Sequence, residues 1–293
     1  MDRLDPKLDV VFKLLLTRDP ALLIDMLQGV LERPIIGIEV LNPAIKGPLS
    51  SDKEIILDIR AVLADGTRID VEMQIRATPG LASRLVFYGA RDYTEQIGRG
   101  EDYRNLRPTF VIVWLVDPLF PALERLHSTF ELRDRHTHTL FGDQLSIHVL
   151  QLSSLSPPHA RYGYHAIVQR WARFLVARDD SEFDQLAKED PIMTAAKKTL
   201  EEISMDPAAQ RLARERSDAI ALYKIDLAMS KDEGRAEGRA EGRAELLLEL
   251  LAMGFERPAS EIRARIGEAH SDQLGIWASR ALTAQTLDAV FAP

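Results

Sequence analysis

The sequence predicts an α/β fold in which a small mixed sheet is flanked by helices and followed by a C-terminal helical extension. Three observations carry this. Two runs with strand-like alternation, IILDIRAVL and TRIDVEMQI, lie on either side of a turn at Ala64-Asp65-Gly66. Segments of helical periodicity bracket them, at 7–31 and 82–99. From Tyr162 onward the periodicity is helical alone.

The elements follow in order. Over 7–31, Val10, Val11, Leu14, Leu15, Leu22, Leu23, Met26, Leu27 and Val30 recur at helical spacing. Pro20 interrupts that helix or starts its second half, and Pro34 ends it. IIGIEVL at 35–41 reads as a strand. A polar loop with Pro43, Gly47 and Pro48 leads to the two strands of the hairpin. After the helix at 82–99, TFVIVWLV at 109–116 is a buried strand by its unbroken apolar run. Two further strands are expected at 126–133 and 145–152.

Bulk properties narrow the function classes. No apolar run approaches the roughly 20 residues that a membrane-spanning helix needs. The N-terminus MDRLDPKLDV is too charged for a signal peptide, and a cytoplasmic location is the expectation. The chain has no cysteine, which excludes disulfides and thiolate chemistry. The formal net charge of −8 argues weakly against nucleic-acid binding. An acidic tail can hide a locally basic face, however, and a metal site concentrates carboxylates.

The hairpin carries the chemistry. In the strand 68–76, Ile69, Val71, Met73 and Ile75 share one face, and Asp70, Glu72 and Gln74 share the other. A wet face on an edge strand would explain three polar side chains in a row; so would a site. A two-residue turn at Asp65-Gly66 would set Asp58 opposite Met73, on the wrong face. A three-residue loop, Ala64 to Gly66, pairs Leu63 with Thr67 and uses Gly66 in the left-handed conformation such a loop needs. Asp58 then lies opposite Glu72, with Cβ atoms about 5 Å apart. Carboxylates that close repel unless a cation joins them or one is protonated. A hard divalent ion such as Mg²⁺, completed by water and a main-chain carbonyl, is the natural partner.

Asp58, then Glu-x-Gln on the next strand, resembles the PD-(D/E)XK nuclease superfamily, and the helix-strand-strand-strand-helix-strand order agrees. More specifically, the chain looks like the Rpn recombination-promoting nucleases, also called PD-(D/E)XK family putative transposases. The stretches that carry this are DPKLDVVFKLLL, EIILDIRAVLADGTRIDVEMQ and SRLVFYGARDYTEQIGRGEDYRNLRPTFVIVWLVD, within about residues 5–120. The resemblance implies a restriction-endonuclease-like core and Mg²⁺-dependent endonucleolytic cleavage of DNA with little sequence preference, Mn²⁺ substituting. It also implies a tie to mobile DNA, recombination or phage defence. It makes Asp58, Glu72 and the Met73 carbonyl the metal ligands. Gln74 stands where the superfamily usually has lysine. A glutamine can orient a water, but it brings no positive charge and cannot act as a base.

Other residues have two readings each. Lys13, in the FK pair that recurs in the family, could supply the charge that Gln74 lacks, or be a solvated helix lysine. Asp9 lies four residues before it, suited to an ion pair. Arg84, Tyr88 and Arg91 share a helix face that could hold phosphates and stack on bases, or be a charged solvent face. Asp70 is a third carboxylate of the site or lines its rim. His136 and His138 would share a face if they lie in a strand, or mark a loop.

The expected domains are a nuclease-like core at 1–160, a helical extension at 161–230, a GRAE-repeat helix or linker at 231–245, and a small helical module at 246–293 that resembles DUF4351. Each glycine of GRAEGRAEGRAE costs a helix about 1 kcal/mol relative to alanine. Two facing helices could offset this, which makes a homo-oligomer through this region an expectation beside that of a flexible spacer. The runner-up function is a DNA-binding or assembly protein on a degenerate nuclease fold. A third reading is a metal bound only for stability.

Overall fold

The computed structural model describes residues 3–41, 44–45, 55–56, 58–155, 163–255 and 260–292. The chain divides into two units, 1–217 and 218–293.

The first unit opens with two helices, α1 (Asp9–Arg18) and α2 (Pro20–Leu31). Asp19 separates them. It is extended, and its carboxylate accepts the Ala21 N–H, while Pro20 takes the first helical position where no N–H is needed. The helix ends at Leu31, the bound the periodicity predicts, and there Glu32 turns into the left-handed region at φ 53°. The strands are β1 (Ile38–Val40), β2 (Ala44–Ile45), β3 (Ile55–Ile56), β4 (Ile59–Leu63), β5 (Arg68–Gln74), β6 (Thr109–Leu115), β7 (His127–Glu131) and β8 (Leu145–Gln151). The helix α3 (Leu81–Thr94) crosses from β5 to β6 and is shorter than the periodicity suggests. After β8 come α4 (Tyr164–Val176), α5 (Asp180–Glu189), α6 (Pro191–Met205) and α7 (Pro207–Gly254).

The main sheet runs β1-β4-β5-β6-β8-β7, and β2 pairs with β3 apart from it. It is mixed. β1, β4 and β5 are antiparallel neighbours, β5, β6 and β8 are parallel, and β7 is antiparallel to β8. β5 is therefore a central strand. The wet-edge explanation of its polar face fails, because Asp70 is fully buried and Glu72 is only 3% exposed. What covers that face is α3. Its Leu81 and Leu85 pack on Val111, Val113, Leu115 and Val149. Gly89 lets the helix come close, since a Cβ there would lie 2.8 Å from Val111 Cγ2 and 2.9 Å from Leu145 Cδ1.

The other face of β5 carries Ile69, Val71 and Met73, all buried. The helical layer of this unit is tied together by partly buried polar contacts as well as by apolar packing. Asp25 on α2 accepts from Arg170 and from the indole N–H of Trp171 on α4, both at 2.8 Å.

The second unit holds the rest of α7, then α8 (Ser260–Gly267), α9 (Ser271–Ala281) and α10 (Leu287–Val290). The GRAE repeat is helical, inside α7. Leu247, Leu251, Ile266, Leu274, Trp277, Val290 and Phe291 make this unit's own core. Among the described residues no helix is long and apolar enough to cross a membrane.

Candidate active site

The hairpin β4–β5 has the three-residue loop that places its carboxylates together. Leu63 N–H donates to Thr67 O at 2.9 Å, Gly66 N–H donates to Leu63 O at 2.8 Å, and Gly66 has φ 85°. Asp65 closes the loop by accepting from Thr67 N at 2.9 Å. The ladder pairs Ile59 with Val71 and Arg60 with Asp70. One step further along this register, Asp58 stands opposite Glu72.

The two side chains are interlocked through the backbone. Asp58 N–H donates to Glu72 Oε1 at 3.2 Å, and Asp58 Oδ2 accepts from Met73 N–H at 2.8 Å. Gln74 Nε2 donates to Glu72 Oε2 at 3.0 Å. In an extended strand one residue's N–H and C=O point to the same side. The bond from Met73 N–H to Asp58 therefore also turns the Met73 carbonyl toward the β4 side, next to Asp58.

Burial and mutual repulsion shape the electrostatics. Burial, opposed by the bond from Met73 N–H and assisted by the charge of Asp9, pushes the Asp58 carboxyl up to about 6. Lys13 and Arg216 act on it in the opposite direction. Burial first, and the Asp58 charge second, push Glu72 up to about 8, against the pull of Arg84. A pair of oxygen donors held this way, with a main-chain carbonyl beside them, has the chemistry of a hard-cation site that is costly to keep charged without the cation. The donor set thus fits Mg²⁺ or Mn²⁺. Among the described residues no group of three or more His, Cys, Asp or Glu side chains could hold a metal ion, and of these residues the site brings together the two carboxylates Asp58 and Glu72.

The other sequence candidates fall as follows. Lys13 and Arg84 lie within electrostatic reach of the carboxylates. The Arg84 guanidinium sits 5.8 Å from the Tyr88 ring centroid, and the phenol is pushed up by burial first and by Glu72 and Asp58 thereafter. Arg91 shares the partly buried face of α3. Asp9 does not take Lys13. Its carboxylate accepts from Arg216 at 2.9 Å and pairs with the same guanidinium at 2.6 Å. His136 and His138 lie in a turn, not a strand. Asp134 Oδ1 accepts from the N–H groups of His136 and Thr137, and His138 adopts φ 57°.

Sequence reasoning missed a buried ion network beneath α3. Arg60 Nε donates to Asp92 Oδ1 at 2.7 Å, and the same guanidinium reaches Glu95. Arg68 approaches Asp92 at 3.4 Å. Asp70 lies in this layer with both carboxylate oxygens unbonded, and burial holds its carboxyl well above the usual range. The available signal was Asp92 itself, an acidic residue on the apolar stripe Leu81, Leu85, Gly89 of α3. Also missed was the pair His127 and His148, whose ring nitrogens are 3.0 Å apart and which burial pushes down to about 4 and about 3.

Comparison with known proteins adds one finding. The family described as PD-(D/E)XK nuclease family transposase matches residues 6–233. No curated protein and no solved structure matches the chain. The small helical module beyond residue 245 lies outside the family match. The matched span contains the whole sheet and every residue of the carboxylate hairpin, and the chain belongs to the PD-(D/E)XK nuclease family transposases.

Proposed function

We propose that the chain is a Mg²⁺-dependent DNA endonuclease of low sequence specificity, serving recombination, mobile DNA or phage defence. The observation that supports this best is the interlocked pair Asp58 and Glu72, the first partly buried and the second buried, with Gln74 bonded to Glu72. In this reading Asp58, Glu72 and the Met73 carbonyl hold the cation. When bound, such an ion neutralises phosphate charge and makes a water a better nucleophile.

The chain's own groups do the rest. Gln74 gives its amide N–H to Glu72, which leaves its carbonyl oxygen to accept from the attacking water and orient it. Lys13 brings positive charge to the Asp58 side, the charge that Gln74 does not carry. Arg84 and Arg91 hold phosphates along α3, with Tyr88 as a stacking surface. The core at 1–160 and the helical extension at 161–230 form the nuclease body, and the helical repeat and the 246–293 module are appended to it.

The test is plasmid nicking with Mg²⁺, comparing wild type with Asp58→Ala. Loss of a bound ion that contributes several kcal/mol to the transition state predicts a drop of at least about a hundredfold. Equal cleavage by both proteins removes the assignment. Absent cleavage with DNA retention intact favours a DNA-binding protein on a degenerate nuclease fold, the reading that Gln74 makes second.

A further inference from the structure

The GRAE repeat has a property that a single helix cannot satisfy. Residues three and four apart are neighbours on a helix, whereas residues two apart lie about 200° around it. Arg235, Arg239 and Arg243 are spaced by four, as are Glu237, Glu241 and Glu245. Every neighbouring charge along the repeat is therefore a like charge, and each Arg and its nearest Glu are on opposite flanks. Among the described residues Arg235, Glu237, Arg239 and Glu241 form no ion pair; the Arg239 guanidinium donates only to the Arg235 carbonyl at 3.2 Å.

The small residues between the flanks are not equivalent. On the alanine side Ala240 and Ala244 pack against the core of their own unit. The glycine side is open, and a Cβ built on Gly234, Gly238 or Gly242 would meet nothing within 4 Å. Followed toward the N-terminus, the glycine side continues through Leu227, Tyr223 and Ile220 at intervals of seven, four and three residues from Gly234. Leu227 and Tyr223 are 47% and 48% exposed. Leu222, Ile225 and Met229 lie on the opposite side, in line with the alanines.

We infer that the seam Ile220, Tyr223, Leu227, Gly234, Gly238 is the docking surface for a second copy of this chain, lying parallel and in register. Its flanks select the partner. With the seams facing and the helices parallel, the Arg flank of one copy meets the Glu flank of the other on both sides, and each Glu237 falls within two residues of Arg235 and Arg239 of the second copy. An antiparallel copy would set Arg against Arg. The glycines let the two backbones approach closely, as the open space beside them permits, and the apolar residues supply burial.

The full chain is measured by size-exclusion chromatography with light scattering. The expected mass at micromolar concentration is twice 32.9 kDa. Glu237→Arg with Glu241→Arg gives a chain with two Arg flanks, and Arg235→Glu with Arg239→Glu gives one with two Glu flanks. Each is expected to run as a monomer alone, with wild-type helical circular dichroism, and the two mixed are expected to recover the dimer mass. The chain has no cysteine, so Gly238→Cys should give a disulfide dimer under mild oxidation and Ala236→Cys should not. A wild-type monomer, a dimer that survives both charge reversals, or equal cross-linking at the two cysteine positions overturns the inference.

Discussion

The main-chain N–H of Asp58 donates to the Glu72 carboxylate at 3.2 Å while the Asp58 carboxylate accepts from the N–H of the residue after Glu72 at 2.8 Å. Each acid is thus pinned by the other's strand, and neither can swing away to relieve repulsion. The proton is what relieves it in the metal-free protein, with Asp58 pushed up to about 6 from 3.8 and Glu72 to about 8 from 4.5.

A pH dependence of stability follows. Both groups bind their proton more tightly folded than unfolded. Their contribution is complete below the ordinary carboxylate range and is lost as pH rises through about 6 and then about 8. Thermal unfolding with EDTA is expected to give a melting temperature that falls across this window. Mg²⁺ should shrink the fall, and Glu72→Gln should flatten much of it. A melting temperature that rises over the same window would show that both acids are ionised in the metal-free fold.

Gln74 tunes Glu72 through its 3.0 Å bond. A lysine there would place a positive charge beside the carboxylate and lower its proton affinity. Gln74→Lys is expected to move the rising limb of the nicking pH profile to lower pH. Gln74→Ala, which only removes the bond, should move it upward and lower the plateau by roughly tenfold, about 1.4 kcal/mol in the barrier. Nicking rates measured from pH 6 to 9, a window chosen around the value of about 8 for Glu72, decide this. An unchanged profile in both variants would show that Gln74 does not act through Glu72.

The hairpin was legible because two local signals agree, the period-two alternation and a glycine placed where the loop needs positive φ. The register then follows, and with it the pairing of Asp58 and Glu72. Alternation could not say whether the polar face of β5 was wet or covered, since that depends on where α3 packs. Arg60 and Asp92 are 32 residues apart, and no local pattern links them. The place of β8 between β6 and β7 is a long-range choice of the same kind. Lys13 was named from the sequence while Arg216, about 200 residues further on, was not, although both act on Asp58.

The Arg60 guanidinium and Asp92 form a buried pair that joins β4 to α3, with 8% and 0% of the side chains exposed. Removing one partner leaves the other charge with only its more exposed neighbour, Glu95 for Arg60 and Arg68 for Asp92. Arg60→Ala and Asp92→Ala are each expected to cost about 3–5 kcal/mol, and the double variant Arg60→Met, Asp92→Leu markedly less than the sum. Denaturant unfolding of the three proteins checks this. Additive losses would mean that the two residues do not depend on one another.

Gly89 is one of the points at which α3 meets the sheet. A methyl group would lie 2.8 Å from Val111 Cγ2 and 2.9 Å from Leu145 Cδ1, inside contact distance of two buried or partly buried side chains. Alanine would gain helix propensity, about 1 kcal/mol, against overpacking of typically 1–3 kcal/mol. The two figures leave about 0–2 kcal/mol, and the net expectation for Gly89→Ala is destabilisation of about 1 kcal/mol. A stability equal to or above wild type in urea would show that α3 can lift without loss.

Arg84 is poised between two roles, since its charge acts on Glu72 and its guanidinium lies over the Tyr88 ring at 5.8 Å. If it holds a phosphate, Arg84→Ala weakens DNA binding for all sequences alike. It also reduces the salt dependence of binding by about one phosphate contact. Tyr88→Ala, which removes a stacking surface, should weaken single-stranded DNA by about 1–3 kcal/mol and leave the salt slope unchanged. Fluorescence anisotropy with Ca²⁺ in place of Mg²⁺, over a series of salt concentrations, separates the two contributions. Unaltered affinity in both variants would assign Arg84 to the electrostatics of Glu72 alone. In that case its loss should raise the proton affinity of Glu72 further, and the fall of the melting temperature should extend to higher pH than in wild type.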